Sequence, residues 1–360
     1  MADLLNPAGG YTTGTCAAAA AAAAAQVLCG RPAPAVVDVA LPDGGTARLD
    51  IAAAGGGPDG AFAAVVKRAG DDPDVTDGAE VRVTLRPLPA GDVLFVAGEG
   101  VGRVTKPGLA VPPGEPAINP VPRRMIREAV RAVTPRPVEI AVGIAGGAAL
   151  AARTFNPRLG VEGGLSILGT SGRVRPFSLQ AVRETVRCGL SVAAAAGVTA
   201  VVLVPGNLGR RAAHRLYSLA PEQAVEVANE WGYAADRLAD FPFRAVLALG
   251  HPGKLAKLAS GDWDTHSARS APALDVLRAY APAAHRASAA AAATVEALLT
   301  SLPAAAARTA ADRAAAAVRD ALAKRTGCRL EVAVLFTDLA GREVGRAGRF
   351  RAWTPAGGTR

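Results

Sequence analysis

The sequence has few aromatic side chains and no long run of strongly hydrophobic residues. Only 4% of its 360 residues are Phe, Trp or Tyr, which argues against the aromatic stacking platforms of single-strand nucleic-acid binders. No stretch of about 18 residues is hydrophobic enough to predict a transmembrane helix. The alanine run 17–25 is only weakly hydrophobic and follows no basic segment, so it predicts a structural helix and not a signal peptide. These absences predict a cytoplasmic protein with no membrane partner.

Cysteine is also scarce, and its spacing argues against a metal or disulfide framework. The four cysteines, Cys16, Cys29, Cys188 and Cys328, lack the paired spacing of zinc sites. Free thiols in a reducing cytosol are the simplest interpretation. The aspartate-rich loop 70–78 could hold a hard cation, but it lacks the ligand spacing of a calcium loop and is typical of a turn. We therefore predict no protein-bound metal.

The abundant residues indicate a two-domain globular chain with dispersed positive charge. Half of the residues are hydrophobic, 20% are charged, and the formal net charge is +9. The length exceeds that of a usual single core, which favours two domains. Basic residues stand singly or in pairs, so they favour pockets for separate anionic groups over a phosphate-tracking stripe. Nucleic acid is therefore not a predicted partner.

The pattern of elements changes along the chain and predicts a two-domain α+β and α/β fold. Residues 1–165 combine an opening helix, strands and glycine- and proline-rich loops, which predict a mixed-sheet, two-layer α/β sandwich. Residues 166–360 predict a Rossmann-like α/β domain, because strands 198–204 and 244–249 are apolar throughout, as in a covered parallel sheet. Alanine-rich helices at 282–302 and 304–324 and a closing pair of strands complete this domain.

Residues 10–16, Gly-Tyr-Thr-Thr-Gly-Thr-Cys, stand directly before the alanine-rich opening helix. The two glycines allow a close backbone approach, and Thr13 or Thr15 can cap the helix. The remaining N–H groups and the positive end of the helix dipole would face a docked group. Taken locally, the pattern favours a capped helix that only starts the fold, with a ligand pocket as the alternative.

Two glycine-bearing loops follow the apolar strands of the second half, at 205–209 and 250–254. Ligands of open α/β sheets bind at the carboxyl ends of such strands. Asn207, His251 and Lys254 are therefore predicted site residues.

A further candidate pair lies shortly after these loops. Asp264 and His266 could form a proton-handling pair, in which the carboxylate raises the basicity of the imidazole. A capped helix start fits this segment equally well.

Six segments, taken together and in order, resemble the cobalt-precorrin-5B C(1)-methyltransferase (CbiD) family of anaerobic cobalamin biosynthesis. They extend from residue 10 to residue 267 and comprise 10–19, 70–76, 104–126, 155–176, 205–209 and 250–267. Phe177 and Trp263 depart from the family pattern, which has variable apolar residues there. The resemblance implies methyl transfer from S-adenosyl-L-methionine to carbon 1 of a ring-contracted cobalt tetrapyrrole, giving cobalt-precorrin-6A. It also implies that the usual tetrapyrrole methyltransferase fold is not used.

Two other functions remain as alternatives. A non-catalytic tetrapyrrole-binding or carrier protein of the same pathway would share the binding residues. A nucleotide-using α/β transferase is disfavoured, because the sequence has no phosphate loop.

The resemblance, together with the charge pattern, implies roles for particular residues. Dispersed basic and polar side chains would bind the carboxylates of the macrocycle: Thr12, Thr13, Thr15, Lys106, Asn119, Arg123, Arg124, Lys254 and Lys257. Glycine-rich loops would admit S-adenosyl-L-methionine: Gly169, Thr170, Ser171, Gly172, Gly206 and Asn207. His251 or His266, the latter with Asp264, would accept the released proton. Cys16 is expected to pack, since this transfer needs no thiol, and a homo-oligomer is compatible with the sequence.

Overall fold

The computed structural model describes residues 9–174 and 178–357, so Phe177 lies outside the described residues. The chain forms two compact units, of which one ends at Ser178 and the other begins at Leu179. Residues 168–172 bond to the start of the first helix, whereas the sequence assigned them to the second domain. The predicted boundary at 165/166 itself stays a prediction.

The first unit contains four helices and nine strands among its described residues. The helices are α1 (Thr13–Leu28), α2 (Pro120–Arg131), α3 (Gly147–Ala151) and α4 (Asn156–Leu159). The strands are β1 (Val36–Ala40), β2 (Thr46–Asp50), β3 (Ala53–Gly57), β4 (Gly60–Val66), β5 (Glu80–Pro87), β6 (Val93–Ala97), β7 (Arg103–Val104), β8 (Val138–Ile144) and β9 (Val161–Glu162).

A five-stranded mixed sheet in the order β3-β4-β5-β8-β6 forms one layer of this unit. Its neighbours are antiparallel except β6 and β8, which run parallel. The second layer contains α1, which packs against β4, β5 and α2. Residues 13–25 of α1 are all buried; alanine favours the helix and adds no γ atoms, so the backbone approaches its neighbours closely. The predicted two-layer α/β sandwich is confirmed.

The second unit contains eight α-helices and five strands among its described residues. The helices are α5 (Leu179–Ala195), α6 (Asn207–Leu216), α7 (Trp231–Arg237), α8 (Pro252–Leu255), α9 (Ala273–Tyr280), α10 (Arg286–Ala291), α11 (Val295–Ser301) and α12 (Ala304–Arg325). Short 3-10 helices occupy Leu238–Asp240, Ala256–Ser260 and Ala283–His285. The strands are β10 (Ala200–Val204), β11 (Ala224–Glu226), β12 (Ala245–Gly250), β13 (Glu331–Thr337) and β14 (Glu343–Ala347).

The sheet of this unit has the order β11-β10-β12-β13-β14 and is parallel except for the last pair. Every residue of β10 and β12 is buried, because apolar clusters cover both faces of the sheet. The predicted α/β unit with a partly parallel, helix-covered sheet is confirmed. The carboxyl ends of β10, β11, β12 and β13 share one edge.

The helix expected over 282–302 is broken into shorter pieces. The Arg278 guanidinium donates to the carbonyl oxygens of Ala289, Ala290 and Ala292, which removes acceptors from a continuing helix. Thr294 then caps α11 by accepting from the backbone N–H of Ala297 at 3.0 Å. Alanine propensity alone gives no signal for this interruption.

Candidate functional sites in the two units

The three threonines at the start of α1 bind a neighbouring segment of the chain, residues 168–172. Thr12 is the N-cap and accepts from the backbone N–H of Thr15 at 3.3 Å. The Thr15 hydroxyl donates to the carbonyl oxygen of Gly172 at 2.7 Å, and the Thr13 hydroxyl accepts from the backbone N–H of Leu168 at 3.1 Å. All three threonines are buried. Their contacts account for them structurally, and their role toward substrate stays a prediction.

The glycines of the predicted cofactor loop are required by this packing. Gly169 and Gly172 have φ of 139° and 80°, and a Cβ on Gly169 would overlap the Thr12 side chain. Ser171 donates to the Arg173 carbonyl oxygen at 3.2 Å, whereas Thr170 is exposed. Cofactor binding by this loop stays a prediction.

Two basic residues of α2, Arg123 and Arg124, differ in how many hydrogen bonds their side chains make. The Arg123 guanidinium bonds the Glu115 carboxylate at 2.6 Å and the carbonyl oxygens of Ile118 and Pro116 at 2.8 and 3.0 Å. Arg124 is exposed, and its side chain makes no hydrogen bond or ion pair with the described residues. Arg123 therefore holds the proline-rich segment, while Arg124 can bind an anion from outside.

A cavity of about 210 Å³ lies beside the start of α2. Its lining consists of Ala110, Val111, Pro112, Pro120, Arg123 and Arg127. Pro112 and Pro120 of the proline-rich segment 112–122 therefore form part of the wall of this cavity. Arg127 was missed, although its spacing of four residues from Arg123 places both on one helix face.

Two other predicted residues lie near this segment in the first unit. The backbone N–H of Asn119 donates to the Ile167 carbonyl oxygen at 3.0 Å, and its side chain does not cap α2. The Lys106 side chain packs where a Cβ on Gly160 would lie. Neither position reveals a ligand, so both roles stay predictions.

In the second unit, the predicted residues Gly206, Asn207, His251 and Lys254 follow β10 and β12 at the carboxyl edge of the sheet. Asn207 is exposed and opens α6, which has no side-chain cap. The sheet thus brings these residues to one edge, where open α/β sheets bind ligands.

His251 is fixed by two hydrogen bonds. Its Nδ1 accepts from the Gly253 backbone N–H at 3.0 Å, so the neutral ring carries its proton on Nε2, which lies 2.7 Å from Glu296 Oε1. Burial lowers the pKa of His251, although Glu296 and Asp338 oppose the shift. The imidazole is therefore held neutral and has no spare lone pair in this arrangement.

Lys254 bonds Asn229, which the sequence analysis missed, and Lys257 bonds Thr265, the neighbour of Asn229. Lys254 Nζ donates to Asn229 Oδ1 at 2.9 Å, and Thr265 Oγ1 lies 3.3 Å from the same oxygen. Lys257 is buried, and its Nζ donates to Ser270 Oγ at 2.7 Å and to the Thr265 carbonyl oxygen at 3.3 Å. Asn229 follows β11, a strand too short to leave a period-two signal.

Asp264 and His266 are near each other but do not pair through their side chains. The Asp264 carboxylate accepts from the His266 backbone N–H at 3.0 Å and binds Arg269 at 2.6 Å. His266 Nδ1 accepts from the Ala268 backbone N–H at 3.2 Å. The structure brings the residues together without the carboxylate–imidazole contact that the proton-handling role needs, and that role stays a prediction.

The remaining sequence candidates have packing or turn environments. Cys16 is fully buried, and burial raises the pKa of its thiol to about 12, which favours an uncharged packing residue. In the loop 70–78, Asp74 binds Lys67 Nζ at 2.8 Å and accepts from Thr76. Across residues 9–174 and 178–357, no cluster of His, Cys, Asp or Glu side chains could hold a metal ion. Within the same ranges, no helix is long and apolar enough to cross a membrane.

Comparison with known proteins gives one consistent family. The CbiD family model matches residues 5–176. The chain is 51% identical to the cobalt-precorrin-5B C(1)-methyltransferase of Syntrophotalea carbinolica, over 96% of this chain and 98% of that protein. The enzyme of the same name from Rhodospirillum rubrum is 42% identical, over 94% of this chain and 97% of that protein. A crystal structure of the cobalamin biosynthesis protein cbiD from Archaeoglobus fulgidus is 26% identical, with 71% of this chain and 81% of that chain covered, at a TM-score of 0.40.

Proposed function

Because this chain belongs to the CbiD family, we propose that it methylates carbon 1 of cobalt-precorrin-5B in anaerobic cobalamin biosynthesis and gives cobalt-precorrin-6A. The observation that carries this function is the 51% identity to a cobalt-precorrin-5B C(1)-methyltransferase across nearly the full length of both chains. The family predicted from six sequence segments is confirmed by that relative and by the family model.

The methyl donor is S-adenosyl-L-methionine, whose sulfonium carries an electrophilic methyl group. An electron-rich ring carbon attacks that methyl in line, so the protein's main tasks are to orient two ligands and to exclude water. Cobalt belongs to the substrate in this reaction, and the cysteines have no part in the transfer.

Unpaired cations in each unit support binding of a substrate with several carboxylates. Arg124 in the first unit, and Lys254 and Lys257 in the second, make no ion pair with the described residues. Arg123 is less available to a substrate carboxylate, because its guanidinium already donates to Glu115 and to two carbonyl oxygens. Arg124 offers bidentate geometry to a carboxylate, whereas the lysines offer point charges.

A histidine base for the released proton requires a change in the hydrogen bonds of the imidazole. His251 and His266 both accept a backbone N–H at Nδ1, so each must break that bond before the ring can take a proton there. Replacement of each by alanine tests the role directly. Wild-type turnover in both variants would exclude a histidine base, and lost turnover with unchanged binding would support one.

The test of the overall function is a reaction with purified chain, S-adenosyl-L-methionine and cobalt-precorrin-5B. We expect one S-adenosylhomocysteine for each tetrapyrrole that gains a methyl group, measured by mass spectrometry. A carrier protein would bind the tetrapyrrole and form no S-adenosylhomocysteine. Calorimetry that detects no binding of S-adenosylhomocysteine, with or without tetrapyrrole, would contradict the methyltransferase. A homo-oligomer stays a prediction.

A further inference from the structure

Two neighbouring lysines of the second unit have no acidic partner among the described residues. Lys254 Nζ donates to the amide oxygen of Asn229, and Lys257 Nζ donates to a hydroxyl and a carbonyl oxygen. Carboxylates near in sequence have other donors: Glu230 binds Arg183 at 2.7 Å, Asp264 binds Arg269 at 2.6 Å, and Asp262 accepts from the Ala271 backbone N–H at 3.0 Å. The two ammonium groups therefore have only neutral acceptors.

This arrangement is unusual because a buried ammonium ordinarily has a counter-charge. The first unit follows the ordinary pattern, since its buried Lys67 lies 2.8 Å from the Asp74 carboxylate. Lys257 is also buried, with 7% of its surface exposed against 1% for Lys67. Burial, and then the charge of Lys257, lower the pKa of Lys254, as expected where a compensating anion is missing.

The backbone before Asn229 is strained in a way that fixes this amide. Ala228 has φ of 52°, and only Cys328 shares a positive φ among the described non-glycine residues. An alanine in the left-handed region costs about 1–2 kcal/mol, and such strain concentrates at ligand sites. Asn229 follows this residue, after the carboxyl end of β11, and its Oδ1 accepts from Lys254.

The orientation of the Asn229 amide follows from its partners. Lys254 is only a donor, so it must face Oδ1. The Nδ2 group then points elsewhere and donates to no atom in the described ranges. Lys254 and Asn229 are half-buried, so both an ammonium and an amide donor are open to a ligand.

We propose that Lys254 and the Asn229 amide bind a carboxylate, with Lys257 behind them adding charge and Asn229 positioning Lys254. The assignment rests on the proposed function, because both ligands of that reaction carry carboxylates. One source is the methionine carboxylate of the methyl donor, and the other is a peripheral side chain of the tetrapyrrole. The shared chemistry is a carboxylate, and the experiment separates the two sources.

The test compares wild type with Lys254→Met, which removes the charge and keeps the length of the side chain. Calorimetry compares S-adenosylhomocysteine with methylthioadenosine, which lacks its amino group and carboxylate. It also compares a cobalt corrinoid that has free carboxylates with the methyl ester of that corrinoid. Loss of a charged hydrogen bond should weaken one carboxylate-bearing ligand by about 10- to 100-fold. Its carboxylate-free counterpart should bind both proteins equally well.

Two further variants separate positioning from a structural role. Asn229→Asp puts a carboxylate beside Lys254, so it should weaken the same ligand at unchanged or higher thermal stability. Lys254→Arg should restore binding in part. Lys324→Met, at an exposed lysine of α12, is the matched control and should leave all affinities unchanged.

The outcomes distinguish this site from the function on which it rests. Unchanged affinity of Lys254→Met for both carboxylate-bearing ligands would overturn the site while wild-type methylation remained. Equal weakening of a ligand and its carboxylate-free counterpart would also overturn it. A wild type that binds both ligands without methyl transfer would contradict the function alone.

Discussion

The hydroxyl of Thr15 donates a 2.7 Å hydrogen bond to the carbonyl oxygen of Gly172, across 157 residues of sequence. Thr15 is fully buried, and its hydroxyl also lies 3.1 Å from that of Thr12. One side chain therefore joins the N-cap of α1 to the glycine-rich segment predicted to bind the methyl donor.

Thr15→Val should destabilise the first unit by about 0.5–1.5 kcal/mol. It keeps the shape of the side chain and removes one of two donors to the Gly172 carbonyl oxygen, which still accepts from the Thr12 backbone N–H at 3.1 Å. All three tryptophans, Trp231, Trp263 and Trp353, lie in the second unit, so this loss should appear in far-UV circular dichroism during urea unfolding and not in tryptophan fluorescence. Thr300→Val, at an exposed threonine of α11, is the control. Lost activity at unchanged stability would assign Thr15 to the ligand instead.

The ion pair between buried Lys67 and half-buried Asp74 predicts a dependence of stability on pH. Burial alone would raise the pKa of Asp74, but hydrogen bonds from Lys67 and Thr76 outweigh it and lower the pKa below its ordinary value of 3.8. The unfolded chain therefore binds the proton first, and the free energy of unfolding falls as the pH drops below about 4.

Asp74→Asn should cost about 3 kcal/mol at neutral pH, because it leaves the Lys67 ammonium buried without its partner. It should also remove the acid-dependent loss that this carboxylate causes, measured by circular dichroism in urea between neutral pH and pH 3. Asp59→Asn, at an exposed turn, should change neither quantity. An unchanged stability of Asp74→Asn would show that the pair contributes nothing.

The sequence predicts the layers of this fold better than its local contacts, for a physical reason. Uniformly apolar strands such as β12 indicate a covered parallel sheet, because a strand that is buried on both faces has apolar side chains at consecutive positions. The break after Ala291 depends on the guanidinium of Arg278, which reaches three carbonyl oxygens from another helix. No local pattern encodes such a contact.

The candidate sites divide in the same way. His251 and Lys254 were predictable, because loops after parallel strands meet at one edge. Asn229 was not, since it follows a three-residue strand and depends on the φ of Ala228. Asp264 and His266 are close in sequence, but in this structure the Asp264 carboxylate accepts from the His266 backbone N–H and binds Arg269, so their proton-handling role stays a prediction.

His251 predicts a second pH dependence, in the second unit. Burial lowers the pKa of its imidazole below 6.5, so the unfolded chain takes up the proton first. The free energy of unfolding should therefore decrease as the pH falls from about 6.5 through the lowered pKa. His251→Asn keeps an N-cap acceptor for Gly253 and should flatten this decrease, measured by tryptophan fluorescence in urea.

His214 is the necessary comparison for that measurement. Burial, and then Arg210, lower the pKa of His214 as well, so its contribution has the same sign. His214→Asn should remove only its own part of the slope, and the double variant should remove both. A slope that His251→Asn leaves unchanged would contradict the buried, neutral state of that ring.

Cys328 offers a stabilising substitution that can be checked against a matched cysteine. Cys328 lies just after α12 and has a φ of 56°, so its backbone is strained. Its side chain is exposed and has little packing to lose. Cys328→Gly relieves about 1–2 kcal/mol of left-handed strain against about 0.5–1 kcal/mol for the added freedom of the unfolded chain, a net gain of about 0.5–1 kcal/mol. Cys29 ends α1 with φ of −86°, so Cys29→Gly has no strain to relieve and should lower stability. Tryptophan fluorescence reports the first variant and circular dichroism the second; a Cys328→Gly midpoint at or below that of wild type would show that the backbone there is not strained.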